Sequence, residues 1–377
     1  MTFLAGKILG SALILWHLSG CLALENTSQL ARHTETTVDD TSYDYNDTVE
    51  LCEKNSSRSF RDWFFPIIFS LICLVAIVGN FLVILTYLYF MRLKTMTDMY
   101  LLNLGIADLL FALSLPFWAA SLMSKWQLGI FLCKVMYTVY KVTFFSGMFL
   151  LTFISIDRYF AITKAVSAHR CRSRAIYMSK VSSGVIWLVT LFLSIPEMVY
   201  ARVNSNGICI LYTQESMRLR VGMQLAQMFF GFVIPAVVMV FCYVGIVKTL
   251  VLSKSFQKNK AIKVIFAVVA VFLFCQLPYN IVLLMSTLYE AQGGSEDCKY
   301  DNALFFAMDI SKVIAFLRCC LNPFLYAFIG VKFRHDLLKL MKDLGCMSRE
   351  RFFQYTSCSR RRSSGAMETE TTTSFSP

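Results

Sequence analysis

The amino-acid sequence predicts an all-α membrane protein, a bundle of seven transmembrane helices followed by an amphipathic eighth helix. Two features of composition favour this class: 56% of the 377 residues are apolar, and only 16% are charged, whereas an ordinary soluble domain has about 25% charged residues. The third observation is that the apolar residues lie in runs long enough to cross a bilayer as helices. This composition excludes a disordered chain and argues against a secreted soluble enzyme.

The chain begins with a segment typical of a cleaved signal peptide. Residues 1–23 combine a single basic residue with an apolar stretch and small residues near the expected cleavage site. The polar segment that follows, residues 24–62, contains nine acidic and four basic residues. It also contains three Asn-x-Ser/Thr sequons, at Asn26, Asn46 and Asn55. We therefore expect residues 24–62 to form an extracellular, acidic, glycosylated tail.

Seven apolar segments fit transmembrane helices, within a bundle expected over residues 63–329. Three of them contain no charged residue: 63–91, 221–247 and 264–289. Four contain only isolated charges: about 98–123, 133–156, 175–198 and 302–328. Each segment reaches the ~20 residues that a helix needs to cross a bilayer, and a helix satisfies its own backbone hydrogen bonds in lipid.

The distribution of Lys and Arg predicts the orientation of the bundle. With the amino terminus outside the cell, the inner connections contain twelve Lys and Arg residues, and the outer connections contain roughly half as many. We therefore expect a multi-pass protein of the plasma membrane with an extracellular amino terminus. The formal net charge of +12 is explained by the inner loops, so no nucleic-acid partner is expected.

The segment after the seventh span is expected to lie at the inner leaflet. Residues 331–345 place apolar side chains on one helix face and Lys and Arg on the other, which predicts an amphipathic helix in contact with membrane lipids. Cys346 follows this helix and is a candidate for palmitoylation, with a free structural thiol as the equally weighted alternative. Residues 346–377 form a Ser/Thr-rich cytoplasmic tail, and phosphates there would create an anionic strip for arrestin. The candidate phosphorylation sites are Ser363, Ser364, Thr369, Thr371, Thr372, Thr373, Ser374 and Ser376.

Ionisable residues inside the apolar segments are the first candidates for function, because a charge in lipid is costly and needs a partner. Asp108 in the second span and Arg318 in the seventh lie at similar depths, and we predict that they form an ion pair. A role in packing and insertion alone is the alternative for this pair. Lys141 in the third span, with Asp309 and Lys312 in the seventh, is predicted to define a polar pocket that opens to the outside.

Two motifs at the inner ends of the spans carry a resemblance to a known family. Asp157-Arg158-Tyr159 ends the third span, and Asn322-Pro323-Phe324-Leu325-Tyr326 ends the seventh. In this combination they resemble the motifs of the rhodopsin-like G-protein-coupled receptors, over about residues 60–345. The resemblance implies that ligand binding releases Arg158 from Asp157 and opens the inner face to a heterotrimeric G protein. The residues that it implicates in signalling are Asp157, Arg158, Tyr159, Tyr243, Asn322, Pro323 and Tyr326.

Two further motifs narrow the resemblance to the chemokine receptors. Ser114-Leu115-Pro116-Phe117-Trp118 lies in the second span, and Trp126-Gln127-Leu128-Gly129 lies in the first outer connection. The resemblance implies two disulfide bonds, Cys133–Cys209 and Cys52–Cys298, among the possible pairings of these cysteines. It also implies that the amino end of a chemokine enters the bundle. The residues expected to bind the ligand are Tyr43, Tyr45, Trp118, Lys141, Gln227, Asp309 and Lys312.

The resemblance also implies the partners and the outcome of binding. Tyr43 and Tyr45 lie among acidic residues, the context in which members of the family are sulfated, and the added charge would steer a basic C-C chemokine to the receptor. Segments such as RLKTMTDMYLLNL and RCCLNPFLYAFIGVKFR are similar to the branch of the family that binds C-C motif chemokines 19 and 21. That branch implies an inhibitory-class G protein, calcium mobilisation and leukocyte chemotaxis.

Lys312, Gln276 and Arg318 are among the departures from the family pattern. Lys312 occupies a position where many members have Glu, so the local acid for a cationic part of the ligand is Asp309. Gln276 stands where a Trp is usual, so activation cannot depend on movement of an indole ring. Arg318 stands where a residue commonly helps to hold a sodium ion. Because a guanidinium group beside Asp108 disfavours that cation, no sodium dependence is predicted.

Other functions have less support from the sequence. No nucleophile–base pair, metal-ligand set or phosphate-binding loop is evident, so neither an enzyme nor a cofactor is expected. A retinal-binding photoreceptor has a lysine in its seventh span, but Lys312 lies eleven residues before Pro323, about one helical turn from the position in opsins. A transporter is disfavoured because the chain has no internal repeat. A chemokine scavenger that does not couple to a G protein is a further alternative, which the Asp157-Arg158-Tyr159 motif disfavours.

Overall fold

The computed structural model describes residues 55–90, 95–123, 126–163, 172–205, 207–211, 217–253, 259–292, 298–329 and 331–351. The predicted signal peptide, most of the acidic tail and the Ser/Thr-rich tail lie outside these ranges. Predictions that lie outside the described residues concern Asn26, Tyr43, Tyr45, Asn46, Cys52, Ser363, Ser364, Thr369, Thr371, Thr372, Thr373, Ser374 and Ser376. For Asn55 and Tyr326 the description covers the backbone and not the side chain.

Helices account for nearly all of the described residues. In chain order the elements are α1 (Asn55–Tyr89), α2 (Met96–Met123), α3 (Gly129–Thr163), α4 (Arg172–Leu193), α5 (Ile195–Tyr200), β1 (Arg202–Val203), β2 (Cys209–Ile210), α6 (Met217–Met228), a π-helical turn (Phe229–Val233), α7 (Ile234–Ser253), α8 (Asn259–Ala291), α9 (Cys298–Ile329) and α10 (Val331–Asp343). The fourth span consists of α4 and α5. The fifth consists of α6, the π-helical turn and α7. The two strands form an antiparallel hairpin.

Within the described residues, six spans are long and apolar enough to cross a membrane: Phe60–Tyr89, Met96–Ser121, Gly129–Thr163, Ala175–Tyr200, Arg218–Thr249 and Val269–Ala291. The seventh span is α9, a helix of 32 residues that contains Asp309, Lys312 and Arg318. Asp309 and Arg318 are buried, because α9 packs against α1, α2 and α8. These helices form the predicted seven-helix bundle and, with α10, confirm the predicted fold class.

Several helices extend beyond the apolar segments from which they were predicted. α1 begins at Asn55, so about two turns of this helix overlap the tail expected over residues 24–62. α3 covers Gly129–Thr163 rather than residues 133–156. Hydropathy identifies only the part of a helix that lies in hydrocarbon, whereas a polar helix end can continue into water, where its terminal backbone groups are solvated.

Prolines interrupt the fourth and fifth spans in different ways. The break between α4 and α5 occurs next to Pro196, which has no N–H group to donate and whose ring crowds the preceding turn. In the fifth span the interruption is the π-helical turn that precedes Pro235, in which the Ile234 N–H group donates to the Phe229 carbonyl. A proline inside a helix removes a backbone hydrogen bond and so predicts a hinge at Pro235, but the sequence contains no clear signal for the wider turn.

α1 and α9 approach each other closely within the bundle. The side-chain amide of Asn80 donates hydrogen bonds to the carbonyls of Ala76 and Cys319, both at 2.9 Å. A Cβ atom on Gly79 would lie 2.9 Å from the Cβ and Cγ atoms of Pro323. A glycine therefore permits the spacing that lets Asn80 bond across to α9.

The Cys133–Cys209 disulfide joins α3 to the β-hairpin, with 5.8 Å between the two Cα atoms. This bond confirms one of the two pairings that the family resemblance implies. Cys298 is also disulfide-bonded, whereas its expected partner, Cys52, lies outside the described residues. The end of the bundle that carries the Cys133–Cys209 disulfide is called the outer end below, and the opposite end is called the inner end.

The connection between α2 and α3 packs against the same hairpin. The indole N–H group of Trp126 donates a 2.8 Å hydrogen bond to the Gly129 carbonyl, and its backbone N–H group donates a 2.7 Å hydrogen bond to the Gly207 carbonyl. Gly129 has a φ angle of 74°, a conformation that glycine adopts without a steric cost. The Trp-Gln-Leu-Gly segment thus closes the outer end of α3 over the disulfide.

The amphipathic helix α10 follows α9 at the inner end. Its Phe333 ring lies 5.9 Å from the Tyr87 ring of α1, measured between centroids. The helix ends with Gly345 at a φ angle of 76° and with a 2.8 Å hydrogen bond from the Cys346 N–H group to the Met341 carbonyl, a Schellman motif. This ending leaves Cys346 exposed with a free thiol.

Replacing Gly79 with Ala tests the close contact between α1 and α9. The added methyl group would overlap Pro323, and overpacking of this kind costs about 1–3 kcal/mol. We expect a lower midpoint of thermal unfolding for the detergent-purified protein. Gly184→Ala on α4 is the matched control, because an added Cβ there meets no atom within 4 Å and alanine favours a helix. Equal midpoints for the two variants would contradict the contact.

Candidate functional site

A buried ion pair joins α2 to α9 in the middle of the bundle. Arg318 Nη1 lies 3.3 Å from Asp108 Oδ1, and the side-chain amide of Asn322 donates a 2.7 Å hydrogen bond to Asp108 Oδ2. The side chain of Asp108 is 0% exposed and that of Arg318 is 7% exposed. The structure thus brings together the two charges that were predicted to lie at similar depths along their spans. Asn322 is a third residue of this cluster.

The third span leaves room for the Arg318 guanidinium group. A Cβ atom on Gly147 of α3 would lie 2.8 Å from Arg318 Nη1, so a larger residue would displace the group. Because a fixed cation lies 3.3 Å from Asp108 Oδ1 and Oδ2 accepts the hydrogen bond from Asn322, a sodium ion at this carboxylate would be repelled. Arg318 also borders a small cavity together with Gln276, the residue that stands in place of the usual Trp.

A second buried ion pair lies towards the outer end. Lys141 Nζ on α3 is 2.8 Å from Glu197 Oε1 on α5, and it donates a 2.5 Å hydrogen bond to Gln227 Oε1 on α6. The side chains of Lys141 and Glu197 are 7% and 1% exposed, respectively. Lys141 therefore connects the third span to the fourth and the fifth.

The surroundings of Lys141 differ from the expectation that it faces a pocket open to the outside. The structure buries its ammonium group against the carboxylate of Glu197. Glu197 was not among the predicted site residues, although it is the only acidic residue in the apolar segment 175–198 and such a residue needs a partner inside the bundle. The ammonium group of Lys141 is therefore already paired within the bundle.

Other predicted ligand residues lie on α2 and α9. Trp118 is half-buried, and its ring packs edge-on against Tyr137 with 5.0 Å between centroids. Its indole nitrogen is buried and has no hydrogen-bond partner among the described residues. Asp309 is buried and Lys312 is half-buried, and the two interact electrostatically with each other and with Arg61 of α1.

A more exposed ion pair connects the fifth and sixth spans near the outer end. Arg220 Nη2 lies 2.9 Å from Glu290 Oε1, and the two side chains are 42% and 20% exposed. The nearby Thr287 hydroxyl donates a 3.1 Å hydrogen bond to Gln224 Oε1. Because water screens such a pair, breaking it costs far less stability than removing one partner of a buried pair.

At the inner end, Arg158 is held by residues of α2 and α3. Arg158 Nη2 donates a 2.7 Å hydrogen bond to Asp157 Oδ2 and another hydrogen bond to the Thr97 hydroxyl. Thr97 donates a 2.5 Å hydrogen bond to the same carboxylate oxygen. Reciprocal hydrogen bonds between Thr95 and Asp98 form a capping box that fixes the start of α2, which carries Thr97. The sequence indicates Asp157 as a partner of Arg158 but gives no signal for Thr97.

Tyrosines near Arg158 contact the fifth and sixth spans. A Cβ atom on Gly245 of α7 would lie 2.5 Å from Cε2 of Tyr159, so the tyrosine ring rests against the backbone of α7. The Tyr243 ring lies 4.6 Å from the Phe266 ring of α8, measured between centroids. Because the side chain of Tyr326 lies outside the description, its expected approach to Tyr243 stays a prediction.

The chain matches the family model described as "7 transmembrane receptor (rhodopsin family)" over residues 79–326, which places it among the seven-transmembrane receptors. It is 51% identical over 345 residues to C-C chemokine receptor type 7 of Homo sapiens, across 90% of this chain and 91% of that protein. The type 7 receptor of Mus musculus is also 51% identical over the same shares. C-C chemokine receptor type 9 of Homo sapiens is 40% identical over 83% of this chain and 86% of that protein. The chain therefore belongs to the chemokine receptors of the rhodopsin family, which makes it a multi-pass membrane receptor.

The Asp108–Arg318 pair predicts that sodium does not stabilise this receptor. We expect the same midpoint of thermal unfolding for the purified protein in sodium chloride and in choline chloride of equal ionic strength, because the guanidinium group occupies the cation position. Arg318→Asn removes that charge, and we expect this variant to be stabilised by sodium. A sodium-dependent midpoint in the unmodified receptor would contradict the assignment.

Replacing Glu197 with Gln tests the buried Lys141 pair. The variant leaves the ammonium group of Lys141 buried without a counter-charge, at a cost of about 3–5 kcal/mol. We expect a large decrease in the midpoint of thermal unfolding and in the amount of receptor at the cell surface. Glu290→Gln is the control, since it breaks the exposed pair with Arg220 at a cost of no more than ~1 kcal/mol. Equal losses for both variants would be evidence against burial of the Lys141 pair.

Proposed function

We propose that this protein is a plasma-membrane receptor for C-C chemokines that couples to an inhibitory-class G protein. The observation that carries the proposal is the 51% identity to C-C chemokine receptor type 7 across 90% of the chain. Coupling of this kind would mobilise calcium and direct leukocyte chemotaxis. Similarity to the type 7 receptors supports C-C motif chemokines 19 and 21 as the ligands.

The proposed orientation places the amino terminus outside the cell. It is supported by the sequons at Asn26, Asn46 and Asn55 and by the excess of Lys and Arg in the inner connections. The disulfide at the outer end would then lie in the oxidising compartment where such bonds persist. Each sequon is a proposed site of N-glycosylation.

The acidic tail is the proposed first contact for the ligand. Residues 24–62 contain nine acidic residues, and chemokines are basic, so the two surfaces attract each other over a distance. Sulfation of Tyr43 and Tyr45 would add fixed negative charge beside this acidic run. Such complementarity mainly raises the rate of association.

The amino end of the chemokine would then enter the outer end of the bundle. Trp118 offers an unpartnered indole N–H group, and Lys312 offers a half-buried ammonium group. Deeper entry would engage Gln227 and displace Glu197 from Lys141; both residues contact Lys141 in the structure. Breaking this connection would loosen α3 from the fourth and fifth spans.

Signalling requires a second arrangement at the inner end. In the present one Arg158 is held by Asp157 and Thr97. Ligand binding would favour an arrangement in which α8 moves outward and Arg158 is released, as a shift between existing populations. Tyr243 and Tyr326 would then approach each other, with Pro323 as the hinge of α9. The cleft formed in this way is the proposed binding site of the G protein.

The remaining proposed contacts lie beyond α9. Helix α10 would rest on the inner leaflet, where its apolar face contacts lipid. The exposed thiol of Cys346 at the end of this helix supports palmitoylation, since an acyl chain attached there could enter the membrane. Phosphorylation of the Ser/Thr-rich tail would create the binding strip for arrestin.

A panel of C-C chemokines tests this proposal in cells that express the full chain. We expect at least one of them, chemokine 19 or 21 first, to lower cAMP and raise cytosolic calcium. Arg158→Ala should abolish both responses and retain chemokine binding, because the arginine lies at the inner end, away from the ligand pocket. Lys180→Ala, which removes an exposed basic residue from α4, should leave the responses unchanged.

Each outcome of the panel distinguishes a different function. Binding with no response in the unmodified receptor would favour a chemokine scavenger. Failure of every chemokine on the panel to bind would overturn the proposal.

A further inference from the structure

Two cations near the outer ends of α1 and α9 interact with the same buried acid. Lys141 is matched by Glu197 at 2.8 Å, and Arg220 is matched by Glu290 at 2.9 Å. The remaining buried acid of α9, Asp309, interacts with two cations, Lys312 of its own helix and Arg61 of α1. Lys312 and Arg61 therefore share one buried acid, Asp309.

Neither of these two cations has its polar groups fully satisfied. Within the described residues, Lys312 makes no hydrogen bond and no ion pair within 4.0 Å, although its side chain is half-buried. The Nε atom of Arg61 is buried and has no hydrogen-bond partner among the residues that the structure describes. The guanidinium carbon of Arg61 lies 5.2 Å from the centre of the Phe305 ring, so an aromatic wall covers one side of that cation.

The electrostatic surroundings of Lys312 favour an anion. Among the described residues, Arg61 and Arg220 repel its ammonium group and Asp309 attracts it. Because the site is partly removed from water, these interactions are stronger than they would be on an exposed surface. A carboxylate beside Lys312 and Arg61 would relieve the repulsion, whereas an ammonium group at the same place would add to it.

We propose that Arg61 and Lys312 form a subsite for an anionic group, which a chemokine supplies as a carboxylate of the segment that precedes its first cysteine. The inference rests on the proposed function and adds to it a preference for a negatively charged group of the ligand. Where a receptor with Glu in place of Lys312 would select a cationic group, this receptor selects an acidic one. The acidic tail of the receptor itself also contains anionic groups, its carboxylates and the candidate sulfotyrosines. It is therefore a second source of an anion for this subsite.

The test uses two versions of a chemokine that activates the receptor. In one version the segment before the first cysteine carries Asp or Glu, and in the other the same positions carry Asn or Gln. We expect Lys312→Gln to lower the potency of the acidic version about tenfold and to change that of the amide version by less than about twofold. Lys312→Arg should retain most of the potency, because it keeps the positive charge.

A matched control separates the subsite from the general charge of the outer surface. Lys134→Gln removes the same charge from the outer end of α3, where the half-buried lysine donates a 3.5 Å hydrogen bond to the Val199 carbonyl. We expect this variant to reduce the potency of both chemokine versions equally and by less than about twofold. A tenfold effect limited to the acidic version in Lys134→Gln would contradict a specific subsite.

A tail variant identifies the source of the anion. It replaces Asp39, Asp40, Asp44 and Asp47 with Asn, and Tyr43 and Tyr45 with Phe. If the chemokine fills the subsite, Lys312→Gln keeps its selective effect on the acidic version in this background. If the receptor tail fills it, Lys312→Gln alters both versions equally in the intact receptor and alters neither in the tail variant.

The remaining outcomes overturn the inference or the function. Equal potency of Lys312→Gln and unmodified receptor for the acidic version, or an equal loss for both versions in both tail backgrounds, would overturn the anionic subsite and leave chemokine recognition intact. Absence of chemokine binding at a normal surface level of unmodified receptor would overturn the proposed function, and the subsite with it.

Discussion

A charge in the hydrocarbon interior of a membrane needs a partner, and the polar interior of this receptor follows from that requirement. Asp108 is fully buried and is neutralised by Arg318, while Asn322 bonds to its second oxygen. The pair ties the second span to the seventh beside Pro323, the predicted hinge. A bound sodium ion at this position would depend on the salt concentration, whereas the cation here is the side chain of Arg318 and is always present.

The same requirement explains the clusters at the two ends. At the outer end Lys141 pairs with Glu197 and thereby ties α3 to α5. At the inner end Arg158 is held by Asp157 and by the threonine hydroxyl at the start of α2. Each cluster joins spans whose relative positions are proposed to change during signalling, so the groups that satisfy buried charges are also the groups that hold one arrangement of the bundle. A ligand would act by replacing one set of partners with another.

The sequence predicts the number of spans, the eighth helix and the central pair, because these depend on apolar length and on the depth of a charge along a helix. It does not predict helix ends, since polar turns such as the first ones of α1 continue beyond hydrocarbon. It also misses two partners of predicted residues. Thr97 has no distinguishing signal, and Glu197 lies in α5, beyond a break in the fourth span that changes the direction of the chain next to Pro196. Contacts between spans depend on helix rotation, which hydropathy does not determine.

Asp108 and Arg318 stabilise the bundle as a pair, and a double-mutant cycle measures the coupling between them. The cycle compares thermal unfolding of the purified receptor with Asp108→Asn, with Arg318→Met and with both changes. If each charge is buried and depends on the other, each single variant is strongly destabilised, and the double variant recovers about 3 kcal/mol or more relative to the sum of the two losses. Losses that simply add would contradict the pairing on which this account of the receptor rests.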